Sequence, residues 1–322
     1  MGSQWQIPER LISEIHQVQA DYERHLAWLP AELRNHIVTP YAADDFKSPG
    51  RLSILALPYW LADHFGLAWE SCRALALGNL YGIVAFLSLD GLMDDDRPGT
   101  DDRAWVVVGT LFNLQIVRHY QTLFPSDSRF WALVERYWAE WGEAALWEPE
   151  QGPTRRPFNQ ESLRRAARKA APLKICPSGI ALLAGRAELI PALEEAVDLM
   201  HVTMQLLDDL HDWREDLRHR RHNAFLGTLV AEGLISDGLC VFEDEVSEVL
   251  VRTDIVNRYI DTISGWGERT RDHIAGLGIG EWAALIGALL EDVNTQRLRF
   301  EQHLAELLTK HLVTGLAARE GR

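Results

Sequence analysis

Cysteine, positive charge and long apolar runs are all scarce in this chain of 322 residues, and each shortage closes off a class of protein. Three scattered cysteines, Cys72, Cys176 and Cys240, form no CxxC pair. They argue against a disulfide-built fold and point to a reduced, cytoplasmic protein. Lys plus Arg number 32 against 47 Asp plus Glu, a formal net charge of -15. Broad attraction to nucleic acid or to an anionic membrane is therefore not expected, and an anionic ligand needs local help from metal ions or clustered cations. No charge-free run reaches the 18 or so residues of a membrane span, and the first ten residues, MGSQWQIPER, contain no apolar signal core. The nearest approach to a span is LALGNLYGIVAFLSL, residues 75–89, which ends in acids and suits a central buried helix. Alternating strand patterns are also scarce.

What is present is helical periodicity. Apolar residues recur at three and four, as in Leu11, Ile15, Val18 and Tyr22, and again in Leu285, Leu289 and Val293. Breaks fall at KSPG (47–50), DRPG (96–99), EPEQGPTRRP (148–157), CPSG (176–179) and GLGIG (276–280). They divide the chain into about a dozen helices. Composition does not shift across any of them, so the expectation is an all-α fold: one large helical bundle spanning residues 1–322 around a central cavity.

Two acidic clusters interrupt this pattern. In DGLMDDDRPG, Asp90 and Asp94 are one turn apart on one helix face, directly after the apolar run 75–89. In MQLLDDLHDWRED, Asp208, Asp212 and Asp216 share a face that His201 and Gln205 continue upstream, after the apolar run 193–207. A single acidic run is usually a solvated face. Two at the ends of two core helices are harder to explain that way, because like charges one turn apart repel and call for a cation. Five carboxylates with no Cys or paired His favour Mg²⁺, which keeps several waters and bridges to phosphate. A phosphorylated substrate follows.

With both clusters in hand, the chain resembles the trans-prenyl diphosphate synthase branch of the class I isoprenoid synthases. The family motif FQxxDDxxD is matched by MQLLDDLHD, carrying over Gln205, Asp208, Asp209 and Asp212. The motif DDxxD with a following RRG is matched in part by DGLMDDDRPG: Asp90 and Asp94 fit, Gly91 replaces the second acid, and Arg97 stands for the arginine pair. GTLFNL (109–114) is similar to the small-residue helix after the first motif. APLKICPSGIALLAG (171–185) is similar to the helix with the diphosphate-binding lysine, which places that role on Lys174.

The resemblance implies three Mg²⁺ ions held by Asp90 and Asp94 on one side and by Asp208, Asp212 and Asp216 on the other. It also implies an allylic prenyl diphosphate gripped by Lys174, Arg97, Gln205 and one of Arg220 or Arg221, and a homodimer. Phe86, one turn before Asp90 and beside Gly82 and Ala85, is the best-placed cavity wall among the ring residues; Trp60, Trp213 and Trp282 are weaker candidates. The departures matter too. FKSPGRL offers only Lys47 and Arg51 for a second diphosphate, and Leu80, Ile83 and Leu89 stand where polar family residues are expected. The expectation is a terpene synthase that ionises one allylic diphosphate and cyclises the cation. The alternatives are a prenyl diphosphate synthase or head-to-head prenyl transferase, and a non-catalytic partner subunit of such an enzyme. A di-iron reading of Asp198-x-x-His201 lacks a second such motif.

Overall fold

Helices account for every regular element among the described residues, which are 7–27, 29–34, 37, 49–93, 102–150, 159–236 and 241–320 of a computed structural model. The all-α expectation holds. The helices are α1 Glu9–Leu26, α2 Ala31–Arg34, α3 Pro49–Phe65, α4 Trp69–Met93, α5 Asp102–Tyr120, α6 Arg129–Glu150, α7 Gln160–Ala167, α8 Ile175–Leu183 and α9 Ile190–His219. Then come α10 Ala224–Ala231, α11 Glu243–Arg252, α12 Ile255–Gly276 and α13 Gly280–Glu320.

The apolar run 75–89 is the heart of α4, with Leu75, Ala76, Leu80, Tyr81, Val84 and Ala85 all buried. A helix apolar on nearly every side needs neighbours all round, and α1, α3, α5 and α8 supply them. α1 contributes the stripe read from its periodicity: Leu11, Ile15, Val18 and Tyr22 are buried. α5 comes closest at Gly109, where an added Cβ would stand 3.5 Å from the Ala85 carbonyl oxygen. α9 is the second central helix, packed by α7, α8, α10 and α12. The core forms two clusters, one around α3, α4 and α8 and one around the second half of α9 with α10–α13; Met204 packs against both.

Two of the expected breaks come out differently. CPSG lies inside α8. Pro177 is tolerated there because it falls in the first turn, where backbone N–H groups lack helical partners. Gly179 is there for space: a Cβ would meet Phe130 at 3.1 Å and Phe124 at 3.3 Å. The real interruption comes just before, where Arg168–Lys174 tighten into a 3₁₀ helix containing Pro172, whose missing N–H removes one i→i−4 bond. In EPEQGPTRRP, residues 148–150 still belong to α6, and the rest lie outside the described residues, as do 47–48 and 96–99. GLGIG does separate α12 from α13, with Gly278 at φ 79°. No helix among the described residues is long and apolar enough to cross a membrane.

Gly78 in α4 admits the ring of Tyr120: an added Cβ would lie 2.3 Å from Tyr120 Cε1. That ring is buried and packed edge-on against Phe130. Gly78→Ala is therefore expected to lose about 1–3 kcal/mol, seen as a lower urea midpoint at unchanged m-value.

Candidate functional site

α9 divides its acids between two jobs. Asp209 is buried and acts within the fold: one carboxylate oxygen accepts from Gln205 Nε2 at 2.7 Å and the other from the Ala224 backbone N–H at 2.6 Å. Asn223 completes the clasp. Its Nδ2 donates to the Asp209 carbonyl at 2.8 Å and to Asp216 Oδ2 at 2.7 Å, while its Oδ1 caps α10 by accepting from Leu226 N–H at 3.0 Å. Arg220 makes the reversal that brings Asn223 back, in left-handed conformation at φ 59°, and the Arg220 and Arg221 backbone N–H groups both donate to the Asp216 carbonyl. The Arg221 guanidinium stands 3.6 Å from Glu215 and 3.9 Å from Asp216. Sequence reasoning missed Asn223, although an Asn one residue before an apolar run is an N-cap signal.

Asp208 and Asp212 do the other job. Both are exposed, and neither has a hydrogen-bond or ion-pair partner among the described residues. Protein crowding the carboxyl, then the like charge of Asp212, push Asp208 up to about 6. Solvent reaches the side chain, which softens the effect of burial and leaves the Asp212 repulsion, the part a cation would remove. Two uncommitted, mutually repelling carboxylates fit a hard divalent cation with oxygen ligands. Among the described residues, no three His, Cys, Asp or Glu side chains converge as a metal group. The acids of the first motif are not described: Asp90 lies in the last turn of α4 with its side chain outside the described residues, and Asp94 and Arg97 lie wholly outside them.

An apolar cavity of about 220 Å³ lies against α4 and is bounded also by α3, α5, the 3₁₀ segment and α8. Phe86 lines it, as expected, together with Gly82, Ile83 and Tyr120. Phe86 in turn packs on Trp138 at 4.5 Å and Trp141 at 5.3 Å between ring centroids. These two Trp residues of α6 are the aromatic partners that the sequence did not single out. The weaker candidates sit elsewhere: Trp60 and Trp282 are core residues, and Trp213 lines a separate cavity behind α9.

Among the described residues, the cation lining the α4 cavity is Lys169, and Lys174 lies elsewhere. The reason is the 3₁₀ helix, in which residues three apart share a face. Positions 168, 171 and 174 form one face. The others, with Lys169, Ala170, Pro172 and Leu173, line the cavity. Lys174 instead points between α6 and α9, where it is buried and its Nζ lies 2.9 Å from Glu140 and 2.8 Å from Asp198. Burial still holds the Asp198 carboxyl above its usual range, with Lys174 pulling it down. Three further arginines make contacts within the fold. Arg164 grips Glu195 with two bonds of 3.0 and 2.8 Å, and Arg165 lies 5.0 Å over the Trp147 ring. Arg258 pairs with Glu232 and Asp254.

The raised Asp208 gives a signed expectation. In the folded protein it holds its proton to about pH 6, against an ordinary value of 3.8, so its contribution to stability is complete below about pH 4 and is lost as pH rises through about 6. Asp208→Asn should therefore melt progressively higher than wild type, both metal-free, as pH goes from 4 to 7. Mg²⁺ should raise the wild-type melting temperature and leave the variant nearly unmoved, as followed by calorimetry.

No family model matches the chain, and no curated protein matches it by sequence. Solved structures do. A heptaprenyl diphosphate synthase from Staphylococcus aureus superposes with TM-score 0.70 at 15% identity, over 88% of this chain and 98% of that one. A geranylgeranyl pyrophosphate synthetase from the archaeon Geoglobus acetivorans gives 0.70 at 16%, over 88% and 98%. The T. brucei farnesyl pyrophosphate synthase gives 0.63 at 13%, over 89% and 100%. The chain thus shares the all-α fold of these solved structures.

Proposed function

We propose that the protein ionises an allylic prenyl diphosphate with the help of Mg²⁺. The observation that carries this is the pair Asp208 and Asp212, uncommitted on a helix that the 3₁₀ segment joins to an apolar, aromatic-edged cavity. Asp90, Asp94, Asp208 and Asp212 would hold the metal, with Asp216 as a fifth ligand that must share its carboxylate with Asn223. Bound Mg²⁺, three ions by the resemblance, would neutralise the diphosphate as a leaving group. Lys169 would hold the diphosphate by charge-assisted hydrogen bonds, with Arg97 and one of Arg220 or Arg221. Lys174 serves the joint between α6 and α9. Phe86, Trp138 and Trp141 would face the allylic cation, each ring worth about 0.5–2 kcal/mol, and the apolar wall would keep water from quenching it.

Two fates of the cation are supported by different observations. Transfer to a second prenyl diphosphate is supported by the names of the three structural neighbours above, each a prenyl diphosphate or pyrophosphate synthase. Cyclisation is supported by α4 itself: Leu80 is buried and Ile83 lines the cavity, so neither offers a polar group to a second diphosphate. Geranyl, farnesyl, geranylgeranyl and geranylfarnesyl diphosphates with Mg²⁺, each with and without isopentenyl diphosphate, separate the two. Cyclic hydrocarbon or alcohol formed without isopentenyl diphosphate means cyclase; longer diphosphates formed only with it mean transferase. No diphosphate release above Asp90→Ala and Asp208→Ala controls in any mixture sinks the proposal and leaves the partner-subunit reading. Lys169→Ala is expected to raise KM about tenfold or more.

The homodimer implied by the resemblance is supported by α5, whose outer face exposes Val106, Val107, Leu114 and Val117 at helical spacing. Leu114, at 61% exposure, is the most open of them. Leu114→Glu should convert a dimer to a monomer in light scattering; a wild-type monomer would dispose of the assembly.

A further inference from the structure

Acids outnumber bases in this chain, 47 to 32, and arginines as far apart as Arg73, Arg136, Arg164, Arg258 and Arg297 each hold a carboxylate. Arg118 makes no ion pair among the described residues. It borders a hollow of about 230 Å³ together with His25, Gln115, His119 and Thr122, and none of the described residues lining that hollow is an acid. His25 comes from the last turn of α1; the others come from the end of α5 and the turn after it. The two imidazoles are held in place before any ligand arrives. The His119 ring stacks on Tyr81 at 5.1 Å and on His25 at 5.4 Å between centroids, and the Tyr81 hydroxyl lies 3.1 Å from His25 Nδ1. When that hydroxyl donates, His25 Nε2 carries the ring proton and is a donor. Burial, then the positive charges of His25 and Arg118, push the His119 imidazole down to about 4.

We propose that this hollow binds a phosphoryl anion, gripped by the Arg118 guanidinium and by hydrogen bonds from His25, His119 and Gln115. A phosphoryl group presents three acceptor oxygens to donors arriving from several sides, and Arg is its usual partner. A metal ion does not fit: it lies in the plane of each imidazole it binds, and two rings stacked face to face do not converge on one point. Basic residues in a last helical turn often do no more than offset the helix dipole. Here the closing carbonyls of α5 are already taken, Val117 by the Gln121 N–H, His119 by Thr122, and Tyr120 by the Leu123 and Phe124 N–H groups. Asp21, one turn before His25, accepts from Gln17 and Arg24. The hollow is separate from the α4 cavity: Ile116 and Tyr120 line that cavity, while Gln115 and His119, on the same two turns of α5, line this one. The assignment therefore does not depend on the ionisation of a prenyl diphosphate.

The test titrates sodium pyrophosphate and, separately, geranyl diphosphate into the whole chain by calorimetry, at fixed ionic strength and after a chelating resin has removed divalent metal, so that the acids of α9 take no part. Wild type is expected to bind, and Arg118→Gln and His119→Gln to bind about tenfold more weakly or worse. In proton NMR, the ring signals that disappear in His25→Gln and His119→Gln should move during the wild-type titration. Pyrophosphate bound in this way assigns the site to a free anion; geranyl diphosphate bound while pyrophosphate is not assigns it to a prenyl headgroup, and either result supports the site. No binding of either probe, or binding that Arg118→Gln leaves unchanged and Lys169→Ala weakens, overturns it, the second result placing the anion at the α4 cavity. Circular dichroism checks folding. Arg118 is exposed, so Arg118→Gln carries the test if His119→Gln does not fold.

Discussion

An ammonium group taken out of water must be met by carboxylates, and the centre of this protein is arranged around that demand. Lys174 reaches Glu140 on α6 and Asp198 on α9 from the end of the 3₁₀ segment, fixing three elements at one point. Breaking such a pair by removing one partner leaves charge stranded, so the joint resists small rearrangements. Its consequence for the site is geometric. With Lys174 anchored on one face of a three-per-turn helix, Lys169 falls on another and lines the cavity. The same anchoring sets α9, and with it the position of every acid further along that helix.

Adjacent acids on α9 then meet opposite fates one residue apart. Asp209 turns inward and ties down the chain that follows, through Ala224 and Asn223. Asp208 turns outward, where none of the described residues bonds it. The first kind of carboxylate gains its stability from hydrogen bonds made on folding; the second is held against its neighbour's repulsion by the first. A rigid clasp on one side is what lets two like charges be kept together on the other.

Much of the fold could be read directly from periodicity, because α1, α4 and α9 have the apolar patterns their burial requires. The second acidic motif was equally legible: Asp208 and Asp212 sit one turn apart and uncommitted, as their spacing indicates. The place of Lys174 between α6 and α9 was not legible, because sequence cannot say that Pro172 tightens the helix, and one change of helical pitch moves a side chain to another face. CPSG misled for a related reason: Pro and Gly are read as breaks, but one sits in a first turn and the other makes room for Phe130. Trp138 and Trp141 could not be picked from twelve tryptophans, since their meaning comes from Phe86 on a different helix.

Glycine in the middle of a helix is less favourable than alanine by about 1 kcal/mol. At position 82 nothing in the surroundings demands it: an added Cβ would meet Ile116 at 3.8 Å and Phe86 at 4.0 Å, ordinary contact distances. A helix selected only for packing would carry alanine there and be more stable. What alanine would remove is volume from the cavity that Gly82 lines. α4 therefore forgoes helix propensity to keep a space open, which places emptiness itself among the properties this sequence specifies.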